Sequence, residues 1–284
     1  VTRPLTGPRG ARAGEGRFFL VMSFSGFMSA IPERPIALLS PLVEERDTLF
    51  HRLTDGETRT IGILQVVTGK LEGHSVVLAE SGVGKVASAA IATLIATTFD
   101  CRAIVVCGVA GGIDPQLSIG DVVIADRLIQ HDYGHMTSLG IRNFRPGVPP
   151  IGEARDRIAF DLNPELLMRI GGAVNGIRLP ALPADLGIPT QGQPRIAFGP
   201  IVSGDQFINS EDVRERLRRD YAALAVEMEG AAVAQAAELI GIPCIVIRSL
   251  SDLAGAESHL DFPKFLRAVA PTAAEVVARV VSVL

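Results

Sequence analysis

Ala225-Val226-Glu227-Met228-Glu229-Gly230-Ala231-Ala232 ends a short apolar run and opens an Ala-rich segment of helical character. A strand that turns into a helix there puts acidic side chains at the junction, where a carboxylate in apolar surroundings is costly unless it binds something. Further on, Ile245-Val246-Ile247-Arg248-Ser249-Leu250-Ser251-Asp252 repeats the arrangement, an apolar strand ending in Arg and Asp. Ligands of open α/β sheets sit at the carboxyl ends of strands. Two adjacent strands delivering charge there read as one polar site.

Working outward, Pro35-Ile36-Ala37-Leu38-Leu39 reads as a buried strand and residues 44–53 as a helix. Residues 60–67 and 75–79 flank Gly69-Lys70-Leu71-Glu72-Gly73 and suggest a hairpin. Residues 83–98 are Ala-rich at helical spacing. A strand at 103–107 is ended by the glycine turn Gly108-Val109-Ala110-Gly111-Gly112, and 121–125 is the next strand. Between 142 and 193 Pro and Gly are frequent, and only 164–174 reads as helix. Strand 195–202, a charged helix at 211–219, strand 224–226, helix 230–239, strand 243–248 and a closing helix at 263–284 follow. Short buried strands alternating with helices imply an α/β fold, with a mixed, largely parallel central sheet covered on both faces. No repeat or internal boundary is visible, so residues 34–284 read as a single domain.

Residues 1–33 differ. Arg3, Arg9, Arg12 and Arg17 precede a short apolar stretch at 18–30, loosely like a signal peptide. Met28, near the end of a cleavage site after Ala30, suits that reading poorly. Met22 and Met28 also lie just upstream of the first clear strand. The segment reads as a disordered or mis-assigned leader on a cytoplasmic protein, with secretion as the alternative.

Composition narrows the function. Of 284 residues, 48% are hydrophobic and 20% charged, enough for a core and against wholesale disorder. A net charge of −4 lacks the basic stripe that nucleic acid requires, and no Trp with two Tyr argues against a stacking platform. No run reaches the roughly 18–20 apolar residues of a membrane span. Cys101, Cys107 and Cys244 form no CxxC pair and read as small buried residues. A small-molecule partner is expected, without nucleic acid, membrane, metal or cofactor.

Ser81-Gly82-Val83-Gly84-Lys85-Val86-Ala87 follows a strand and opens a helix. It fails as a P-loop, because Ala79 stands where the first Gly is required and Val86 where Ser or Thr should hold magnesium. It matches a dinucleotide fingerprint formally, but the next strand ends at Val106-Cys107 with no acid for a ribose. Its glycines either admit a substrate close to the backbone or serve a tight turn. Gly108 to Gly112 offers the same two readings, bare N–H groups for a ligand or a crowded crossover. Glu45 at a helix start is dipole compensation or catalysis, Asp205 a turn former, and His131 with Asp132 a surface pair. Together they place polar groups after most strand ends.

The chain resembles the nucleoside phosphorylase/nucleosidase superfamily, most closely the bacterial 5′-methylthioadenosine/S-adenosylhomocysteine nucleosidases. The resemblance runs from Pro35 to Leu284 and is carried by Leu42-Val43-Glu44-Glu45, Ser81-Gly82-Val83-Gly84-Lys85, Gly108-Val109-Ala110-Gly111-Gly112 and Gly120-Asp121-Val122-Val123. It continues in Ser203-Gly204-Asp205-Gln206-Phe207-Ile208, Val226-Glu227-Met228-Glu229, Arg248-Ser249-Leu250-Ser251-Asp252-Leu253-Ala254 and Ser258-His259-Leu260-Asp261-Phe262. It implies a three-layer α/β/α domain, a homodimer, and hydrolysis of purine nucleosides with release of the base. Asp252 would protonate N7 of the purine, Glu45 would activate water, and Arg248 would position Glu45 or the water. Glu229 would hold the ribose hydroxyls and, with Met228, lie beneath the oxocarbenium ion. Phe207 would stack on the base, the Ile208 backbone would read its edge, and Val83 would line the pocket for the 5′ group.

Phosphorylases similar to this chain place Arg after the first strand and before the glycine turn. Here those regions read Ser40-Pro41-Leu42-Val43 and Ala103-Ile104-Val105-Val106-Cys107, without a cation for phosphate. Water is the expected nucleophile. Val109 stands where close relatives often carry a hydroxyl residue. Segment 137–193 is longer than in compact nucleosidases, with Leu139 and Pro146 the candidates to close over the 5′ group. A purine nucleoside phosphorylase, a futalosine hydrolase and a non-catalytic nucleoside-binding relative remain the alternatives.

Overall fold

Strands whose side chains are buried on both faces set the frame. β1 (Ile36–Ser40) and β5 (Ala103–Gly112) are buried at every position, as strands sandwiched between helix layers must be. The computed structural model describes residues 33–147, 158–183, 186, 193–256 and 258–284, and the expected leader lies outside them. Residues Glu33–Leu284 form one compact unit. β1 pairs in parallel with β4 (His74–Glu80) on one side and β5 on the other. β12 (Cys244–Asp252) runs parallel to β5 and antiparallel to β6 (Val122–Gln130), which in turn runs parallel to β10 (Ile196–Ser203).

The sheet is mixed, as expected, but it also closes on itself. β11 (Ala225–Glu227) pairs in parallel with β10 and antiparallel with the end of β5, Val226 opposite Gly111. The reason lies on one edge of β5. β1 accompanies that edge only as far as Leu39 opposite Val106, because the chain then turns into α1 (Val43–Phe50). The vacated edge beyond it accepts β11. Thus β11 and β12 flank β5 and do not pair with each other, which corrects the expectation of two adjacent strands. Helices cover both faces. On one, α2 (Lys85–Thr98) and α5 (Gly230–Ile240) share a core with Ile95, Ile104, Val233 and Val246. On the other, α6 (Ser258–Val281) buries Val276, Val277 and Val280 against Val105 and Ile247.

Two local readings are corrected, and one element is added. The strand expected at 60–67 spans a turn at Gly62 (φ +60°), which joins β2 (Thr54–Ile61) to β3 (Leu64–Leu71). Residues Gly108 to Gly112 continue β5 instead of ending it, because neighbouring strands supply the hydrogen bonds a glycine-rich segment needs. A hairpin, β7 (Gly134–Thr137) and β8 (Gly140–Asn143), follows β6 where the sequence suggests no element. The remaining elements are β9 (Phe160–Asp161), α3 (Pro164–Val174) and α4 (Glu211–Tyr221).

Candidate active site

A cavity of about 330 Å3 opens at the carboxyl ends of β1, β5, β11 and β12, a volume typical of small-molecule sites. Glu45, Val83, Val109, Phe207, Met228, Glu229, Arg248 and Asp252 all line it. Ile208 does not; its side chain packs in the neighbouring apolar cluster. Leu139, at the tip of the β7–β8 hairpin, is 99% exposed, and Pro146 is buried, neither lining the cavity in the single chain.

Glu45 sits in the first turn of α1, where it caps the helix and also faces the cavity. Its Oε2 accepts the Leu42 N–H at 2.9 Å, capping the helix, and its Oε1 accepts the Val109 N–H at 2.8 Å. Val109 lies on the β5 edge between the stretches held by β1 and β11, so its N–H has no strand partner there. The residue that departs from the relatives' pattern therefore acts on Glu45 through its backbone. Burial pushes the Glu45 carboxyl up to about 7, against the opposing pull of Arg248 and these two N–H groups. A carboxylate poised near neutrality suits a general base. Spare lone pairs on both oxygens remain for water.

Gly108 lets this arrangement exist. A Cβ there would meet Arg248 Nη1 and stand 2.7 Å from Glu45 Oε1. The first glycine motif is equally engaged: the Gly84 N–H, at φ +95°, donates to Glu229 Oε1 at 2.9 Å. Gly84 thus holds a carboxylate of the protein.

Arg248 is wholly buried. Its Nη2 donates to Glu227 and, at 3.0 Å, to Glu229 Oε2. It reaches Glu45 through its charge, which lowers the proton affinity of that acid, while its own ion pairs go to the two glutamates of the β11 turn. Glu227, to which the sequence motif assigns no role, organises the turn. It also accepts from the Ser203 hydroxyl and from the N–H groups of Glu229 (3.1 Å) and Gly230 (2.8 Å). Its alternation with Glu229 across Met228 was the available signal. Glu229 is held above the usual carboxylate range by burial first and by the nearby Glu227 charge, against the pull of Arg248.

Asp252 ends β12 on the same cavity. Ser251 Oγ donates to its Oδ2 at 3.0 Å and the Ala254 N–H to its Oδ1 at 2.9 Å. Burial raises its proton affinity despite those bonds. Phe207 meets Phe262 edge-on, ring centroids 5.7 Å apart at 79°; Phe262, which carried no assigned role, completes an aromatic wall. Four acids and one cation, Arg248, line the cavity among the described residues. None of those residues gathers three or more His, Cys, Asp or Glu side chains as metal ligands would be.

Residues 35–282 match the family profile described as the phosphorylase superfamily. The chain belongs to the phosphorylase superfamily. Within it, the 5′-methylthioadenosine/S-adenosylhomocysteine nucleosidases of Mycobacterium bovis and Mycobacterium tuberculosis are each 41% identical over 249 residues, covering 88% of this chain and 97% of theirs. The Neisseria meningitidis 5′-methylthioadenosine/S-adenosylhomocysteine nucleosidase in complex with methylthio-immucillin-A superposes with a TM-score of 0.73 at 28% identity, covering 88% of this chain and all (100%) of that one. The futalosine hydrolase of Helicobacter pylori gives 0.72 at 28%, covering 88% and 98%. The superfamily fold, a mixed sheet between helical layers, is thus the fold of this chain.

Proposed function

We propose that the protein hydrolyses the N-glycosidic bond of 5′-substituted purine nucleosides, of the methylthioadenosine and adenosylhomocysteine type, releasing adenine. One observation carries the reading: Glu45 and Asp252, far apart in sequence, face one nucleoside-sized cavity. Breaking the bond builds positive charge on the sugar and negative charge on the base. Asp252, whose proton affinity burial raises, is the acid that serves N7 and makes the base a better leaving group. Glu229 accepts from the ribose hydroxyls and, beside Met228, faces the developing oxocarbenium ion. Glu45 orients and deprotonates the attacking water. Arg248 fixes Glu229 and tempers the proton affinity of Glu45. Phe207 stacks on the base and Val83 borders the 5′ group.

Water is favoured over phosphate by charge. Arg248, the one lining cation among the described residues, is already engaged by Glu227 and Glu229, and an uncompensated phosphate dianion beside four acids would cost several kcal/mol or more. The homodimer is part of the reading, supported by apolar side chains exposed on α2 (Val86), α5 (Leu239) and the hairpin (Leu139). So is a cytoplasmic location. No helix among the described residues is long and apolar enough to cross a membrane. The deciding assay incubates the protein with methylthioadenosine, adenosylhomocysteine, futalosine, adenosine and inosine, with and without phosphate. Free adenine with an unphosphorylated sugar is expected. Ribose 1-phosphate chemistry would move the protein to the phosphorylases, and ligand binding without base release would make it a sensor.

A further inference from the structure

Beside the cavity, three charged side chains tie together segments that are distant in sequence. Lys85 begins α2, directly after the Gly84 that holds Glu229. Asp132 follows β6, and Asp205 lies two residues before Phe207 in the loop after β10. Lys85 Nζ donates to Asp132 Oδ1 at 2.5 Å and stands 3.7 Å from Asp205 Oδ2. The Lys85 N–H donates to Asp205 Oδ1 at 2.8 Å, and the Asp205 N–H donates to Asp132 Oδ2 at 2.8 Å. Every pair in this triangle is therefore bonded or in charge contact.

One corner is anchored. The Asn143 amide donates to the carbonyls of Gln130, His131 and Tyr133 at 3.1–3.2 Å, gripping the backbone on both sides of Asp132. Tyr221 Oη donates in turn to Asn143 Oδ1 at 2.5 Å. Neither Lys85 nor Asp132 is freely solvated, with side chains 15% and 21% exposed. Water therefore screens this pair less than an ordinary surface ion pair. The Phe207 loop is thus tethered through Asp205 to a fixed point, and Phe207 itself is 47% exposed, with an aromatic contact only to Phe262 among the ring contacts described.

We propose that Lys85, clamped between Asp132 and Asp205, is a positioning residue that holds the Phe207 loop against the base subsite and so sets how tightly the nucleoside binds. The inference rests on the nucleosidase reading. Lys85 touches no reacting atom: it does not line the cavity. Without its ammonium, Asp132 and Asp205 face each other as like charges, and the loop bearing Phe207 moves outward. Stacking is made with substrate and transition state alike, so its loss raises KM more than it lowers kcat.

The test compares wild type, K85M, D132N and K85M/D132N. Steady-state cleavage of methylthioadenosine is measured together with calorimetric binding of adenine, and thermal unfolding confirms that each variant is folded. K85M is expected to raise KM about tenfold, with kcat within about threefold, and to weaken adenine binding in parallel. D132N alone shows a smaller rise. The double variant recovers part of the K85M loss, because the like-charge contact is gone; simple loss of packing at Lys85 would give no recovery. KM within twofold of wild type in K85M, a loss confined to kcat, or no recovery in the double variant overturns the proposal. If the wild type binds adenine but cleaves nothing, the hydrolytic reading fails, and adenine affinity in K85M still decides the latch. A wild type that does neither overturns both.

Discussion

Arg248 with Glu229 and Arg34 with Asp100 are ion pairs of the same chemistry, at 3.0 and 2.7 Å, in opposite settings. The first pair is 1% and 4% exposed, the second 51% and 77%. Around Arg34, water solvates each charge almost as well as its partner does, and such pairs contribute roughly 0–1 kcal/mol. Around Arg248, each ion has lost several kcal/mol of hydration, which only close partners and hydrogen bonds can offset. Glu227 answers that demand with bonds from Ser203, Glu229, Gly230 and Arg248. Burial, and not pairing as such, is what separates the site from the surface. It holds Glu45 and Asp252 at proton affinities an exposed carboxylate does not have.

The comparison breaks most severely at Asp252. Asp252→Asn keeps the shape and removes the transferable proton, so base release is expected to fall by about 10²–10⁴-fold, measured as adenine formation by a folded variant. Turnover near wild type in that variant would remove Asp252 from the mechanism. Arg248→Met is next. It leaves Glu227 and Glu229 buried without their cation, and a loss of about 3–5 kcal/mol is expected in urea denaturation. A change below about 1 kcal/mol would mean that the cluster is solvated after all.

The pH profile sharpens the contrast without mutation. The Glu45 value rises from an ordinary 4.5 to about 7 through burial, and the base must be ionised to work. The kcat/KM profile should therefore fall about tenfold per pH unit below about 7. Stability moves the other way. The fold prefers protonated Glu45, so its contribution is complete below the unfolded value and is lost as pH rises through about 7. A kinetic limb near 4.5 would place Glu45 in water. The smallest effect belongs to Arg34→Ala, expected within about 1 kcal/mol of wild type in denaturant and without consequence for turnover.

Much of this was legible because short apolar strands bounded by Gly and Pro announce themselves. Ile36 to Ser40, Ala225 to Glu227 and Cys244 to Arg248 lie in strands where their hydrophobicity puts them. The motif residues Glu45, Glu229 and Asp252 do converge on one cavity. What escaped depends on distant partners. Gly108 to Gly112 remain extended because β12 and β11 pair with them, and no local propensity reveals that. The role of Glu227 needs Ser203 and Arg248 delivered from other strands. The β2–β3 turn escapes a sequence reading because Gly62-Ile63 lies inside a run of strand-forming residues, with Ile63 fully exposed at its tip.

Because the sheet circles back onto β5, its strand order among the described residues ends in one long open flank, the far side of β2, besides the two-residue β9. An unpaired flank is where a second molecule can add a strand and begin to aggregate. Here β2 reads Thr-Asp-Gly-Glu-Thr-Arg-Thr-Ile, exposed at all but its last position, and its register slips between Thr54 and Glu57. Charge and irregularity make that flank a poor template for strand addition. The closure that gathers the cavity at one end of the sheet thus leaves its longest free margin one that repels company.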